Sequence, residues 1–296
     1  MVRSEIALHN VAMAIMARIE QGRAWLRDLG FVGERKALSL LPLCLFGFLY
    51  LVLSLNAQPG WGPAMFGLSL CYLTAFFALA AGWFWARWFA SGLGWSGTMV
   101  GLMSLVMFGY MPVLAIYLGL HALVVVALMG PKMASRYEQR DGWRERFSLD
   151  EFGVARLGKA VTRGAGALPT LILWALAPRT PESLAAHLDA GVHTTVWVAL
   201  AFTVLALVGF ARLRGYAVLA LGGATLAAAL GWLVSSFDGA GLFAGADVVT
   251  RMDGTVGVYA FVPAVLPIAA TLFLAAAFFP LLPALVRHMA PDPRRD

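Results

Sequence analysis

The sequence predicts an all-α fold, a polytopic bundle of about eight transmembrane helices with both termini in the cytoplasm. Of its 296 residues, 60% are apolar and 13% are charged, whereas soluble domains are about 45–50% apolar and about 25% charged. The apolar residues form long runs without charges, as membrane-spanning helices do. The basic residues gather on one predicted side of the membrane, which is typical of a cytoplasmic face.

Residues 1–36 are predicted to form a cytoplasmic amphipathic helix. Apolar residues recur at helical spacing and the charged residues lie off that stripe. This helix either lies on the leaflet or docks on the protein's own helices or on a partner. No apolar core followed by a cleavage site is present at the start, so we expect no removable signal peptide. The apolar stripe comprises Leu8, Val11, Ile15, Ile19, Leu26 and Leu29.

Two blocks, residues 37–130 and 164–288, each hold four predicted spans. The apolar run 97–130 is too long for one helix across a core of about 30 Å. We therefore expect a turn at Gly109–Pro112, and the alternative is one kinked helix. The fifth span is short enough to be a half-helix or a re-entrant segment. The spans are 37–56, 64–88, 95–111, 112–130, 164–178, 191–211, 216–236 and 260–286.

The distribution of charge supports eight spans with the N-terminus and the C-terminal tail, 289–296, inside. With this topology, all of the 22 lysines and arginines except Arg179 and Arg251 face the cytoplasm. Merging the third and fourth spans would move the basic loop 131–163 to the outside. We therefore expect a multi-pass protein of a bacterial-type inner (cytoplasmic) membrane.

The cytoplasmic loop 131–163 is predicted to contain a short helix, which Ser148–Glu151 would begin as a capping box. Arg156, Lys159 and Arg163 recur at spacings of three and four and so share one face. Such a face can contact anionic headgroups, at about 1 kcal/mol per charge. Binding of a phosphate or of a partner protein is the alternative. On the opposite side, residues 246–259 are predicted to form a small periplasmic hairpin.

Several classes of function are disfavoured by what the predicted spans lack. All 16 acidic residues fall outside the spans, which argues against ion transport through a buried carboxylate. Neither paired acids at a membrane face nor an HExxH helix is present, and Cys44 and Cys71 lie in apolar runs. We therefore expect no metal, no cofactor and no disulfide. Without a basic and aromatic patch on an independent domain, we also expect no nucleic-acid partner.

Three residues are candidates for binding: Tyr117, His121 and Arg87. His121 is the ionisable residue nearest the middle of a predicted span, and Tyr117 precedes it by one turn on the same face. A polar group in lipid needs a partner, so this pair should point into the bundle, as a ligand site, a haem ligand or a packing hydrogen bond. Haem held by two histidines would need a second one at matching depth. Arg87 falls in a tryptophan cluster that indicates an interfacial anchor or a substrate platform; its members are Trp83, Trp85 and Trp88.

The stretch GLGWSGTMVG contains Gly94-Trp95-Ser96-Gly97, which resembles the GxSG pattern of rhomboid intramembrane proteases. The resemblance implies a nucleophilic Ser96 served by a histidine on another helix. The charge distribution places His187 across the membrane from Ser96, so these two residues cannot pair. We therefore interpret Ser96 as a helix cap after a tight turn, and Gly97 and Gly101 as a close-packing face.

Taken together, these features predict a non-catalytic membrane protein that anchors or scaffolds a larger membrane assembly. Its expected partners are membrane lipids, with anionic headgroups on the cytoplasmic side, and other membrane proteins. One alternative is a permease or channel for a small neutral solute, lined by Tyr117 and His121. The other is an intramembrane serine hydrolase that uses Ser96.

Overall fold

A computed structural model describes Met16 and residues 32–56, 61–138, 151–176, 186–237 and 262–283. Throughout these ranges the chain is helical, with short turns between helices, so the all-α prediction is confirmed for them. The helices are α1 (Val32–Asn56), α2 (Gly62–Ala81), α3 (Ala86–Phe108), α4 (Pro112–Leu128), α5 (Pro131–Glu138), α6 (Glu151–Leu176), α7 (Ala186–Ala211), α8 (Tyr216–Phe237) and α9 (Val262–Phe278), and the 3-10 turn Phe279–Leu281 extends α9.

Five of the described helices contain a segment long and apolar enough to cross a membrane, namely α1, α2, α3, α7 and α8. The number rises to six if α4 and α5, which meet at an angle of 72°, form one span. Helix α6 carries three basic residues in its first half, and the apolar segment of α9, Leu266–Leu281, is shorter. A helical bundle with several potential membrane spans is therefore confirmed.

The turn between α2 and α3 lies earlier in the chain than predicted. Helix α2 ends at Ala81, and Gly82 adopts a left-handed conformation with φ of 75°, which glycine reaches without steric cost. The Trp83 N–H donates to the Ala78 carbonyl at 3.1 Å, closing a Schellman motif. Ser96 consequently lies inside α3, and the prediction that it caps a helix is wrong. Glycines signal a turn in water, but within an apolar helix they permit close packing.

Of two further predicted boundaries, the turn between the third and fourth spans is confirmed and the start of the fifth span is wrong. Helix α3 ends at Phe108 and α4 begins at Pro112, so the predicted turn at Gly109–Pro112 is confirmed. The predicted fifth span, 164–178, is the second half of the 26-residue helix α6. A single element thus joins the basic face predicted in the loop to an apolar segment.

Helix α6 occupies a central position in the packing. Helices α1 to α4 pack together, α1 on α2 and α3 on α4, while α7 packs on α8 and α8 on α9. Helix α6 contacts α2 and α3 on one side and α7 and α9 on the other. The two groups of helices are therefore held together through α6.

Glycines allow α3 to approach both of its neighbours closely. A Cβ at Gly92 would overlap the Thr162 carbonyl oxygen of α6, so the two backbones touch there. A Cβ at Gly97 would overlap the imidazole of His121, and one at Gly101 would lie 3.0 Å from the Leu118 Cβ. The prediction that Gly97 and Gly101 form a close-packing face is confirmed.

Three predicted elements lie outside the described residues. They are the hairpin of residues 246–259, the tail of residues 289–296 and the surface helix of residues 1–36, apart from Met16 and its last five residues, which belong to α1.

We predict that Gly92→Ala destabilises the protein, because the added methyl group would press on a backbone oxygen that cannot rotate away. Overpacking of this kind costs about 1–3 kcal/mol, which should lower the apparent melting temperature in detergent by several degrees. The control is Gly119→Ala in α4, where an added Cβ meets nothing within 4 Å. Melting followed by circular dichroism checks both variants, and equal melting temperatures would contradict backbone contact between α3 and α6.

Candidate functional site

The lysine and arginine side chains that the structure describes lie at one end of the bundle, called here the basic end. The Lys36 Nζ at the start of α1 donates to the Ala80 carbonyl at the end of α2, at 2.9 Å. Arg163 donates to the Ala276 carbonyl near the end of α9. A Cβ at Gly164 would lie 3.4 Å from Leu207 of α7, which places the turn between α7 and α8 at the same level. The residues of the basic end are Arg35, Lys36, Arg87, Lys132, Arg136, Arg156, Lys159, Arg163, Arg212 and Arg214.

Two arginines satisfy carbonyl groups at the end of α4. The last carbonyls of a helix have no donor within the helix and carry the negative end of its dipole. Arg35 donates to the Val126 carbonyl at 3.3 Å and to the Met129 carbonyl. Arg87 donates to the Leu128 carbonyl at 3.2 Å. The end of α4 is therefore fixed by cations from α1 and α3.

Arg87 also forms an ion pair with Glu138, the last residue of α5. The same carboxylate oxygen accepts a hydrogen bond from the Trp88 indole N–H at 3.0 Å. Trp88 is only 5% exposed, so the prediction that it is an interfacial anchor is wrong. One carboxylate thus holds α5 to α3 and neutralises Arg87.

A cavity of about 370 Å³ lies between the start of α3 and the first half of α6. Three cations line it, and the one carboxylate among its lining residues is already paired with Arg87. The cavity therefore carries a net positive charge and suits an anion. Its polar and aromatic lining comprises Arg87, Trp88, Ser91 and Trp95 from α3, Glu138 from α5, and Lys159, Thr162 and Arg163 from α6.

The structure brings some of the predicted site residues together and separates others. Arg87, Lys159 and Arg163 line the same cavity. Arg156 does not line it, although it was predicted on the same face as Lys159 and Arg163; its guanidinium carbon lies 4.5 Å from the ring centre of Phe152. Arg156 is therefore held on an aromatic face of its own helix instead.

The other two predicted residues belong to a buried cluster in the middle of the bundle. His121 is 1% exposed, and its Nδ1 donates to the Tyr117 carbonyl at 2.9 Å. A carbonyl oxygen can only accept, so Nδ1 carries the proton and Nε2 of the neutral ring accepts. The Tyr72 hydroxyl donates to that Nε2 at 2.7 Å. Both ring nitrogens are therefore satisfied within the protein.

Neighbouring rings enclose the His121 imidazole. Phe46 stacks on it with a centroid distance of 4.2 Å, and the Tyr117 ring lies at the same distance. Gly97 of α3 closes a further side, where even a Cβ would overlap the ring. The imidazole is therefore a packed, hydrogen-bonded element of the core.

The sequence interpretation missed Tyr72, Phe46 and Glu138. Tyr72 and Phe46 lie near the middles of α2 and α1, at the depth where His121 lies in α4. Matching polar and aromatic residues by depth would have suggested Tyr72 as the partner of His121. Glu138 gave no comparable signal, because it stands among other charged residues in the sequence.

Ser96 has no catalytic partner among the described residues. It is 1% exposed and its hydroxyl makes no hydrogen bond there. His121 cannot serve it as a general base in this arrangement, because both of its nitrogens are engaged. In the part of the chain that the structure describes, no three His, Cys, Asp or Glu side chains are grouped so that they could hold a metal ion.

Comparisons of the chain with protein families, with curated proteins and with solved structures find no match.

We predict that Tyr72→Phe destabilises the protein, because Nε2 of His121 would lose its donor in a site closed to water. An unsatisfied buried acceptor costs about 0.5–2 kcal/mol, so the melting temperature in detergent should fall by a few degrees. Tyr110→Phe is the matched control, since Tyr110 is 81% exposed. If both variants melt with the wild type, the hydrogen bond between Tyr72 and His121 contributes nothing.

Proposed function

We propose that this chain is a non-catalytic, multi-pass inner-membrane protein that anchors or scaffolds a larger membrane assembly and contacts the anionic leaflet through its basic end. The observation that carries the proposal is the gathering of the described lysines and arginines at one end of the bundle. Positive charge at one end is what orients a membrane protein toward the cytoplasm.

The proposed topology has eight spans with both termini inside. Helices α1 to α4 and α6 to α9 supply the eight spans, and α5 lies at the basic end after a bend of 72°. The basic residues of α6 would then lie at the cytoplasmic surface and its second half in the bilayer. Support comes from the antiparallel arrangement of successive helices. Lys36 near the start of α1 contacts Ala80 near the end of α2, so the start of α1 and the end of α2 lie on the same side of the bundle.

A non-catalytic role is supported by how the buried polar groups are used. Both ring nitrogens of His121 are hydrogen-bonded, one to Tyr72 and the other to Tyr117, so neither can accept a proton from a substrate or donate one to it in this arrangement. A permeation path lined by Tyr117 and His121 would have to open the contact with Phe46 and Gly97. Neither the permease nor the serine hydrolase alternative gains support from this core.

An anchoring role is supported by an exposed apolar surface on α1. Five of its large apolar residues are more than half exposed and recur at spacings of four, three, four and three, so they form one continuous stripe along the helix. Lipid chains or the helix of a partner can cover such a stripe. Its members are Leu41, Leu45, Phe48, Val52 and Leu55.

The topology is tested with single cysteines in a chain freed of its own by Cys44→Ala and Cys71→Ala. We predict that a membrane-impermeant maleimide labels the Thr180→Cys variant on intact spheroplasts. It should label the Asp141→Cys variant only after the membrane is opened. The reverse pattern would overturn the proposed orientation, and labelling of both variants from outside would overturn the span count.

The scaffolding role is tested by the mass of the native particle. We predict that extraction into polymer nanodiscs, without detergent, yields particles that contain this chain and other subunits in a fixed ratio. The mass should therefore exceed the 31.7 kDa of one chain by the same amount in repeated preparations. Native mass spectrometry measures it, and a particle that holds a single copy of this chain and lipid alone would contradict the proposal.

A further inference from the structure

We propose that the cavity between α3 and α6 is a specific site for one anionic phospholipid. Its phosphate would lie among Lys159, Arg163, Thr162 and Ser91, and one acyl chain would follow an exposed stripe of α3. The inference rests on the proposed function and deepens it, because it names the class of lipid that the basic end recognises.

The first step is the charge that remains after the internal pairs are formed. Arg87 is neutralised by Glu138. Lys159 is exposed and has no hydrogen bond or ion pair among the described residues. Arg163 uses one of its five N–H donors on the Ala276 carbonyl and keeps the others. The cavity thus offers two uncompensated cations to an anion.

The second step is the kind of anion that these groups fit. Two cations and the hydroxyls of Ser91 and Thr162 line the same cavity, and phosphate oxygens are bound by ionic and neutral donors of this kind. A volume of about 370 Å³ is at the lower end of the range for ligand pockets. It accommodates a phosphate with its glycerol but leaves no room for acyl chains.

The third step identifies a lipid rather than a soluble phosphate. Trp95 lines the cavity and is 43% exposed. Beyond it on the same face follow Met99, Leu102 and Val106, which are 48%, 55% and 78% exposed. At 1.5 Å per residue the stripe extends about 16 Å from the cavity along α3. A soluble anion makes no use of this apolar path, whereas an acyl chain covers it.

Trp95 lies at the junction between the charged cavity and the exposed apolar stripe of α3. It follows Arg87 by eight residues, so it lies about 12 Å deeper along α3. Tryptophan favours the level between headgroup and acyl chain, where its ring is apolar and its N–H meets polar atoms. Its place between the charged cavity and the stripe corresponds to the glycerol level of a bound lipid.

Arg156 provides a matched control within α6. It carries the same charge as Lys159 and precedes it by three residues, but it lies over Phe152 and does not line the cavity. General attraction of the basic end to an anionic surface would weigh both residues equally. A specific site requires Lys159 and not Arg156.

The experiment is native mass spectrometry of the delipidated full-length chain, titrated with phosphatidylglycerol, phosphatidylcholine or glycerol 3-phosphate. We expect one tightly bound phosphatidylglycerol and weaker phosphatidylcholine. Lys159→Gln should lower the phosphatidylglycerol affinity about five-fold, the equivalent of about 1 kcal/mol for one headgroup cation. Arg156→Gln should change it by less than about two-fold. Melting curves of both variants should match the wild type, since Lys159 is exposed and the half-buried Arg156 lies over the exposed ring of Phe152.

A phosphatidylglycerol with a photoreactive group on its acyl chain locates the tail. We expect labelling concentrated on the α3 segment that contains Met99 and Leu102, and loss of that labelling in Lys159→Gln but not in Arg156→Gln.

Three results would overturn the site. They are equal affinity losses in the two variants, glycerol 3-phosphate bound as tightly as the phospholipid, and labelling spread evenly over the exposed helices. Because this test uses the isolated chain, its failure leaves the topology and the subunit ratio untouched. Conversely, nanodisc particles that hold a single copy of this chain and lipid alone would overturn the scaffolding role and leave the lipid site untouched.

Discussion

The constraint on which this structure depends is that a polar group in the apolar part of a bundle is costly unless it finds a partner inside the protein. The Thr98, Thr203 and Thr225 hydroxyls find a partner within their own helix, since each donates to the carbonyl four residues earlier. His121 cannot satisfy both of its ring nitrogens within one helix, because a neutral imidazole needs a donor as well as an acceptor. Tyr72 supplies that donor from α2. The pairing fixes α2 against α4 at one depth, and Gly97 lets α3 close over it.

At the basic end the same constraint acts on the ends of helices. The carbonyls at the ends of α2, α4 and α9 accept from Lys36, from Arg35 and Arg87, and from Arg163. These donors come from other helices, so each cap is also a contact between elements. The cations that gather at the basic end thereby also fix the ends of helices. Substitution of a basic residue here would therefore change packing as well as charge.

The sequence predicted that the described part of the chain is built from several long apolar helices and that one of them ends near Gly109, because long apolar runs and the turn signal at Gly109–Pro112 are local features of the chain. It failed at Ser96, because glycine-rich sequence indicates a turn or a packing face, and only the neighbouring helix decides between them. It placed Arg156, Lys159 and Arg163 on one helix face but did not separate Arg156 from the cavity, since spacing along a helix says which residues share a face and not which neighbour each one meets. The partnership of Tyr72 with His121 depends on matching depths in helices far apart in sequence. Pairings of that kind follow from tertiary packing, which periodicity does not describe.

The cations that line the cavity have different roles, which explains why the cavity attracts an anion although one of its three cations, Arg87, is already neutralised. Glu138 neutralises Arg87 and accepts from Trp88, which makes that corner a rigid wall. On the opposite wall, Gly158 admits the Trp88 ring, since a Cβ there would lie 2.7 Å from the indole nitrogen. These contacts hold the walls of the cavity in place and leave the charge of Lys159 unneutralised. A preformed cavity with uncompensated cations binds an anion without the entropic cost of ordering its walls. A flexible basic surface loses that conformational entropy each time it binds.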